Sequence, residues 1–208
     1  MSEPLLTGAK CTLRPLKSSD VGEVYLGWLN DPTVTRYLGV GGGSPPATLE
    51  SVRRYLDRFR VPAGESPEKA TDFIFAIIDT ASGRHIGNVT INRIDRHRGI
   101  ADTGILIGDR AFWGKGYAFD VWSAVLPYAF DRLGLRKILA GAVEDHTASL
   151  TVLRRLGFRV EGVLRGEFLL EGTYRDVIRM GMFRSEFYRY ATEAAGERAA
   201  APSGSRPR

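Results

Sequence analysis

The sequence predicts an α/β (α+β) fold built on a mixed, mostly antiparallel sheet of seven strands flanked by about four helices. Three observations carry that expectation. β-branched runs and runs with apolar residues at helical spacing follow one another in the order β-αα-βββ-α-β-α-ββ. Three of the strand runs are joined by short turns, as in a meander. Between Ile100 and Phe130 an apolar strand, a glycine-bearing turn and an amphipathic helix come in immediate succession.

Residues 1–10 form a lead-in. Cys11 to Leu16 alternates, Leu13 and Leu16 against Thr12 and Arg14, and reads as the first strand. Ser18-Ser19-Asp20 supplies small polar caps for a helix carrying Val21, Val24, Tyr25, Trp28 and Leu29, closed by Asn30-Asp31-Pro32. Thr33 to Leu38 is a short segment, and Gly39 to Pro46 is a flexible Gly/Pro stretch. A helix over Leu49–Arg60 places Val52, Tyr55, Leu56 and Phe59 on one face, and a loop runs from Val61 to Thr71. Phe73–Ile78, the turn Ala81-Ser82-Gly83 and Ile86–Ile94 make a hairpin, and Asp95 to Gly99 turns into the strand Ile100–Ile107. The helix opened at Tyr117 carries Val121, Trp122, Val125, Tyr128 and Ala129 and ends at Leu133-Gly134. Lys137–Val143 is a buried strand. Thr147–Leu156 is a helix stopped by Gly157-Phe158. Arg159–Leu170 and Tyr174–Phe183 close the fold as a hairpin around Glu171-Gly172-Thr173. One domain over residues 11–185 is expected, with 186–208 a helix end and an Ala/Gly/Ser/Pro/Arg-rich disordered tail.

A chain of 208 residues with 43% hydrophobic content suits a single domain with a real core. The net charge of +5 fits a phosphate-rich ligand, an acidic partner or nucleic acid. The cations are scattered among acids, which argues against nucleic acid. The single cysteine, Cys11, excludes an internal disulfide and a Cys-based zinc site and points to the cytosol. No apolar run reaches signal-peptide or membrane-spanning length, so a cytoplasmic protein without a membrane partner is expected. No His/Asp/Glu spacing suggests a metal site.

The turn before the third predicted helix reads Ala111-Phe112-Trp113-Gly114-Lys115-Gly116-Tyr117-Ala118. The first N–H groups of a helix have no intrahelical partner and sit at the positive end of its dipole. Glycines let phosphate oxygens approach the backbone, and Lys115 adds charge, so a phosphorylated ligand is expected here.

This turn, the element order and a second motif resemble the GNAT family of acetyl-CoA-dependent N-acetyltransferases, over Cys11 to Phe183. The family's pyrophosphate loop, Gln/Arg-x-x-Gly-x-Gly/Ala, is matched by Ala111 to Gly116, with Ala at its first position and Arg110 alongside. Its Asn-x-x-Ser/Ala…Gly-Phe segment is matched by His146-Thr147-Ala148-Ser149 and Gly157-Phe158, with His146 in place of Asn. Trp113 to Ala118, Ser149, and Glu161-Gly162-Val163-Leu164-Arg165 with Gly172 and Asp176 further resemble the RimJ/RimL type of ribosomal-protein N-terminal acetyltransferase. That subgroup includes enzymes acting on nucleotide-linked amino sugars, antibiotics and polyamines.

The resemblance implies direct transfer of acetyl from acetyl-CoA to a primary amine in a ternary complex, with no metal. It implies that the N–H groups of Phe112, Trp113, Gly114, Lys115, Gly116, Tyr117 and Ala118 hold the pyrophosphate. The backbone of Ile105, Leu106 and Ile107 would polarise the thioester carbonyl. The tyrosine that many members place four residues before Gly-Phe is Leu153 here, so Ser149 is the candidate proton donor to the leaving thiol. A helix-start role, bonding the backbone, carries equal weight for Ser149. Asp102 and Glu167 are candidate bases, each set against the commoner role of a solvated or ion-paired acid and against a water chain. His146 fits a hydrogen-bond partner of the pantetheine arm better than a titrating base. Arg154, with Arg155, faces either the 3′-phosphate or solvent. Trp28, Asn30, Arg36 and Tyr37 would form one wall of the acceptor pocket, with core packing the stronger reading for Trp28. Trp113 and Trp122 read as packing residues, and His85 and His97 as surface residues. The acceptor stays open among small-molecule and peptide amines, and a homodimer is left open. The departures at Ala111, His146 and Leu153 keep a second reading alive, a non-catalytic acyl-CoA-binding or protein-interaction domain. A nucleic-acid module rests on net charge alone.

Overall fold

The computed structural model describes residues 5–38, 45–59 and 70–189. Its strands are β1 (Leu6–Thr7), β2 (Cys11–Pro15), β3 (Phe73–Asp79), β4 (His85–Asp95), β5 (Ile100–Ile107), β6 (Lys137–Val143), β7 (Arg159–Leu170) and β8 (Thr173–Phe183). Its helices are α1 (Glu23–Asn30), α2 (Pro32–Thr35), α3 (Leu49–Leu56), α4 (Tyr117–Pro127) and α5 (Thr147–Arg155). The strands form one eight-stranded sheet in the order β1-β2-β3-β4-β5-β6-β8-β7. Every neighbouring pair is antiparallel except β5 with β6.

The eighth strand, absent from the sequence expectation, is β1. Its two residues pair Leu6 with Leu13 and Thr7 with Thr12, and a run that short shows no period. The first helix also starts later than expected. Ser18–Asp20 forms a separate 3-10 turn, because the Asp20 carboxylate is taken by Arg14 at 2.7 Å and by the Lys17 N–H. α1 then begins at Glu23, after Gly22. The segment after Asn30 is a helix of its own, with Pro32 at its first turn and the Asp31 carboxylate accepting the Thr33 N–H at 2.8 Å. α4 runs past Pro127, which has no N–H to continue the ladder, into a wide π turn over Tyr128–Arg132. The expected loops Gly39–Pro46 and Val61–Thr71 and the tail beyond Tyr190 fall largely or wholly outside the described residues, as does Arg60.

Side-chain alternation along the strands sorts the sheet into two faces. One packs Phe75, Ile77, Val89, Ile91, Ile138, Met180 and Met182 against Val121, Trp122 and Val125 of α4 and Leu150 and Leu153 of α5. The other packs Ile74 and Leu106 against Val21, Tyr25 and Trp28 of α1, Val34 of α2 and Val52 and Leu56 of α3. On β5, Thr103 faces α4, accepting the Trp122 Nε1–H at 3.2 Å. Asp102, Gly104 and Leu106 therefore share the α1–α3 face. Among the described residues no helix is long and apolar enough to cross a membrane.

The feature that positions the site is the junction of β5 and β6. They pair only at Ile100/Lys137, Ala101/Ile138 and Asp102/Leu139. β6 goes on pairing with β8 as far as Val143/Val177. From Thr103 to Ile107 the edge of β5 on that side has no strand partner among the described residues, and the sheet is split there.

Candidate active site

Two helix N-termini stand at the mouth of this split, because β5 leads into α4 and β6 leads into α5. The turn before α4 is built from its glycines. Gly114 has φ 70° and Gly116, the residue capping α4, has φ 82°. L-residues rarely adopt that left-handed region. A Cβ at Gly114 would meet nothing within 4 Å, and one at Gly116 only Lys10 Nζ at 3.8 Å. The turn is therefore open, and its N–H groups are approachable.

Side chains fix the turn from beneath. Trp113 Nε1 donates to the Ile107 carbonyl at 2.7 Å, tying the turn to the end of β5. Phe112 packs edge-on to Tyr117 at 5.2 Å. The Tyr117 hydroxyl donates to Asp79 at 2.6 Å, which pushes the Tyr117 pKa up to about 12. Four cations surround the turn. Lys115 and Arg84 lie over the Phe112 ring and Arg110 over the Trp113 ring. Lys10 Nζ donates to the Lys115 carbonyl at 2.7 Å. Sequence reasoning missed Lys10 and Arg84, since nothing local links either to a turn far along the chain. Arg110, expected to replace the missing Gln/Arg side chain, stands 3.5 Å from Asp31.

At the second N-terminus, His146 occupies the cap position of α5, its carbonyl accepting the Leu150 N–H at 3.2 Å while its side chain makes no capping bond. Its ring stacks on Tyr37, centroids 4.2 Å apart and planes 16° apart. Burial lowers its pKa, opposed by the nearby Asp145. The structure thus brings together a residue of the second motif and one from the expected acceptor wall. Ser149 lies half-buried in the first turn of α5, and its hydroxyl has no hydrogen-bond partner among the described residues. The helix-start alternative, in which it bonds the backbone, is not what the structure forms. Leu153, at the position of the absent tyrosine, is core.

The remaining expected site residues separate. Asp102 lies on the α1–α3 face, its carboxylate held by Arg179 at 2.7 Å and Arg93 at 3.7 Å. Glu167 is exposed on a bulged part of β7 with no ion pair among the described residues. Arg154 is exposed in the last turn of α5, at the opposite end of the helix from His146, and Arg155 stacks over Phe119 of α4. Trp28 is buried against His85 and Tyr25, and a Cβ on Gly108 would strike its ring. Asn30 spends its amide on Ala47, donating to the carbonyl at 3.0 Å and accepting the N–H at 2.8 Å. Arg36 is paired with Glu171 at 3.2 Å in the β7–β8 turn. His85 is not the surface residue expected: burial between Tyr25 and Trp28 lowers its pKa. Among the described residues no cluster of His, Cys, Asp and Glu could hold a metal ion.

An open glycine turn ringed by cations, beside an unpaired strand edge, can hold a pyrophosphate and a carbonyl on one line. Residues 10–159 match the family model described as acetyltransferase (GNAT) domain. The uncharacterised N-acetyltransferase p20 of Bacillus licheniformis is 28% identical over 178 residues, 86% of this chain and 95% of that one. The spermidine N(1)-acetyltransferase of Escherichia coli is 33% identical over 99 residues, 48% of this chain and 51% of that one. Among solved structures, a spermidine N-acetyltransferase from Vibrio cholerae in complex with CoA and spermine superposes with a TM-score of 0.75 at 23% identity, covering 86% of this chain and 99% of that one.

Proposed function

The chain belongs to the GNAT family and is an acetyl-CoA-dependent N-acetyltransferase, and on that premise we propose how its own residues divide the work. The observation that carries the proposal is the split between β5 and β6 with the glycine turn at its mouth. Acetyl-CoA supplies the acetyl group as a thioester. The N–H groups from Phe112 to Ala118 bind the pyrophosphate, aided by Lys115 and Lys10. The edge of β5 that β6 leaves open, at Ile105 to Ile107, donates backbone N–H to the thioester carbonyl and stabilises the negative charge that develops on its oxygen. Ser149 Oγ–H, with no partner among the described residues, donates to the departing sulfur. His146 orients the pantetheine arm while stacked on Tyr37.

The acceptor is a primary amine, small or peptide, approaching from the α1–α3 face past Tyr37 and Arg36. Relatives named for spermidine support a small amine. The resemblance of Trp113–Ala118 and of the Glu161–Arg165 motif to RimJ/RimL enzymes supports a peptide N-terminus. Asp102, ion-paired twice, is suited to ordering this face, which leaves Glu167 or a water chain to take the amine proton. We place the protein in the cytoplasm.

Calorimetry with acetyl-CoA, paired with thiol release over a panel of amines, tests the reading. Binding with turnover on at least one amine is expected. Tight binding with no turnover on any amine would favour the non-catalytic acyl-CoA-binding alternative.

A further inference from the structure

Within this N-acetyltransferase reading, we propose that the acceptor carries an acidic group, a carboxylate or phosphate, and that the Arg175 guanidinium anchors it. The argument starts from strand alternation. Ile178, Met180 and Met182 of β8 belong to the α4–α5 side of the sheet. Arg175, Val177 and Arg179 therefore belong to the α1–α3 side, with Asp102. β8 runs antiparallel to β6, with Val177 opposite Val143. Arg175 consequently sits at the end of the sheet where β6 turns into His146 and Ser149.

Three other arginines of this region are occupied. Arg179 and Arg93 share Asp102, and Arg36 is paired with Glu171. Arg175 is not. Its Nε is buried without a hydrogen-bond partner among the described residues, and its guanidinium makes no ion pair there. The neighbouring acids are committed or turned away. Glu171 belongs to Arg36. Asp176, on the opposite side of the strand, accepts the Gly166 N–H at 2.8 Å. Glu144 accepts the Asp176 N–H at 3.3 Å. Glu167, next to the Phe168 that pairs with Arg175, leaves it alone.

A charged donor held with one nitrogen sealed and unpaired is an incomplete site. A guanidinium offers a planar fork that a carboxylate or phosphate fills with two hydrogen bonds. A polyamine is the wrong partner here. It would add positive charge to a face on which Asp102 already lies between two arginines. The relatives named for spermidine thus share this chain's transfer machinery and not its acceptor charge.

The test uses matched amines: an α-amino acid and its carboxamide, glucosamine 6-phosphate and glucosamine, a peptide with an acidic second residue and its neutral counterpart, and spermidine. Thiol release gives kcat/KM, and calorimetry on the full chain saturated with coenzyme A gives binding without turnover. The acidic member of at least one pair should exceed its partner by about tenfold or more. Whichever pair responds separates amino acid, sugar phosphate and peptide as the source of the acid. R175Q should bring that ratio close to one, and R175K, which keeps the charge and loses the fork, should retain part of it. The melting transition and acetyl-CoA affinity report whether each variant is folded. If R175Q does not fold, a several-fold loss of the ratio in R175K carries the test. Preference for spermidine or for the neutral members, an unchanged ratio in the variants, or no amine bound by the coenzyme A complex overturns the assignment of an acidic acceptor. Failure to bind acetyl-CoA at all would instead overturn the transferase reading.

Discussion

Asp120 shows how much one side chain can hold. In the first turn of α4 its carboxylate accepts the N–H groups of Ala9, Lys10 and Cys11 at 2.7, 2.8 and 3.1 Å, and the Cys11 thiol at 3.2 Å. Burial and that carboxylate push the Cys11 thiol pKa up, so the thiol stays protonated and inert. D120N replaces one of the two accepting oxygens by an NH2 donor that must face at least one of these N–H groups, and should cost about 2–3 kcal/mol in urea unfolding. Ser149 is the opposite case, a hydroxyl with no partner among the described residues. S149A should lower kcat by about 10- to 100-fold with little change in KM, read from steady-state thiol release. An unchanged kcat would remove Ser149 as donor. His146 and His85 both have pKa values lowered by burial. The unfolded chain binds protons more readily than the folded one, so their contribution is full above the ordinary value of 6.5 and is lost as pH falls through the lower folded values. The melting temperature should fall from pH 7.5 to pH 5.5, and H146F should shrink that difference. An equal shift in H146F would show that His146 does not contribute.

At the scale of elements, the glycine turn was legible because two glycines and a following apolar period state a backbone requirement directly. Its left-handed φ values make substitution costly even where space is free. G116A should lose about 1–2 kcal/mol of stability from the strained cap, and should weaken acetyl-CoA binding in calorimetry as the capping N–H groups shift. Binding equal to wild type would show that the pyrophosphate lies elsewhere. Strands β5 and β6 and the start of α4 were readable to the residue, since each is an apolar run bounded by glycine or by charged and polar residues. What surrounds the turn was not readable. Lys10 and Arg84 reach it only through the order of strands, and the two residues of β1 are shorter than any period. Ser18–Asp20 misled because Asp20 serves Arg14 across the chain instead of capping the next helix. Arg175 was equally silent, since an arginine in an edge hairpin looks like solvent decoration until its neighbours are found paired.

For the molecule as a whole, the element order predicted a meander within a mixed, mostly antiparallel sheet, and the structure places the parallel pairing between β5 and β6. How far that junction would stay closed could not be read, because pairing length depends on the two strands' divergence and not on their composition. Three residue pairs join the β1–β5 block to the β6–β8 block. A ligand lodged in the split would bond to the edge that β6 leaves vacant and so act as extra rungs between the blocks. Ligand at a hundred times its dissociation constant adds about 2.7 kcal/mol to the folded state. Limited proteolysis with and without acetyl-CoA should show slower cleavage in its presence, and equal rates would argue that the two blocks are held by the helices alone. The same arithmetic makes the resistance of the folded chain to opening a function of acetyl-CoA concentration, through a junction only three residue pairs long.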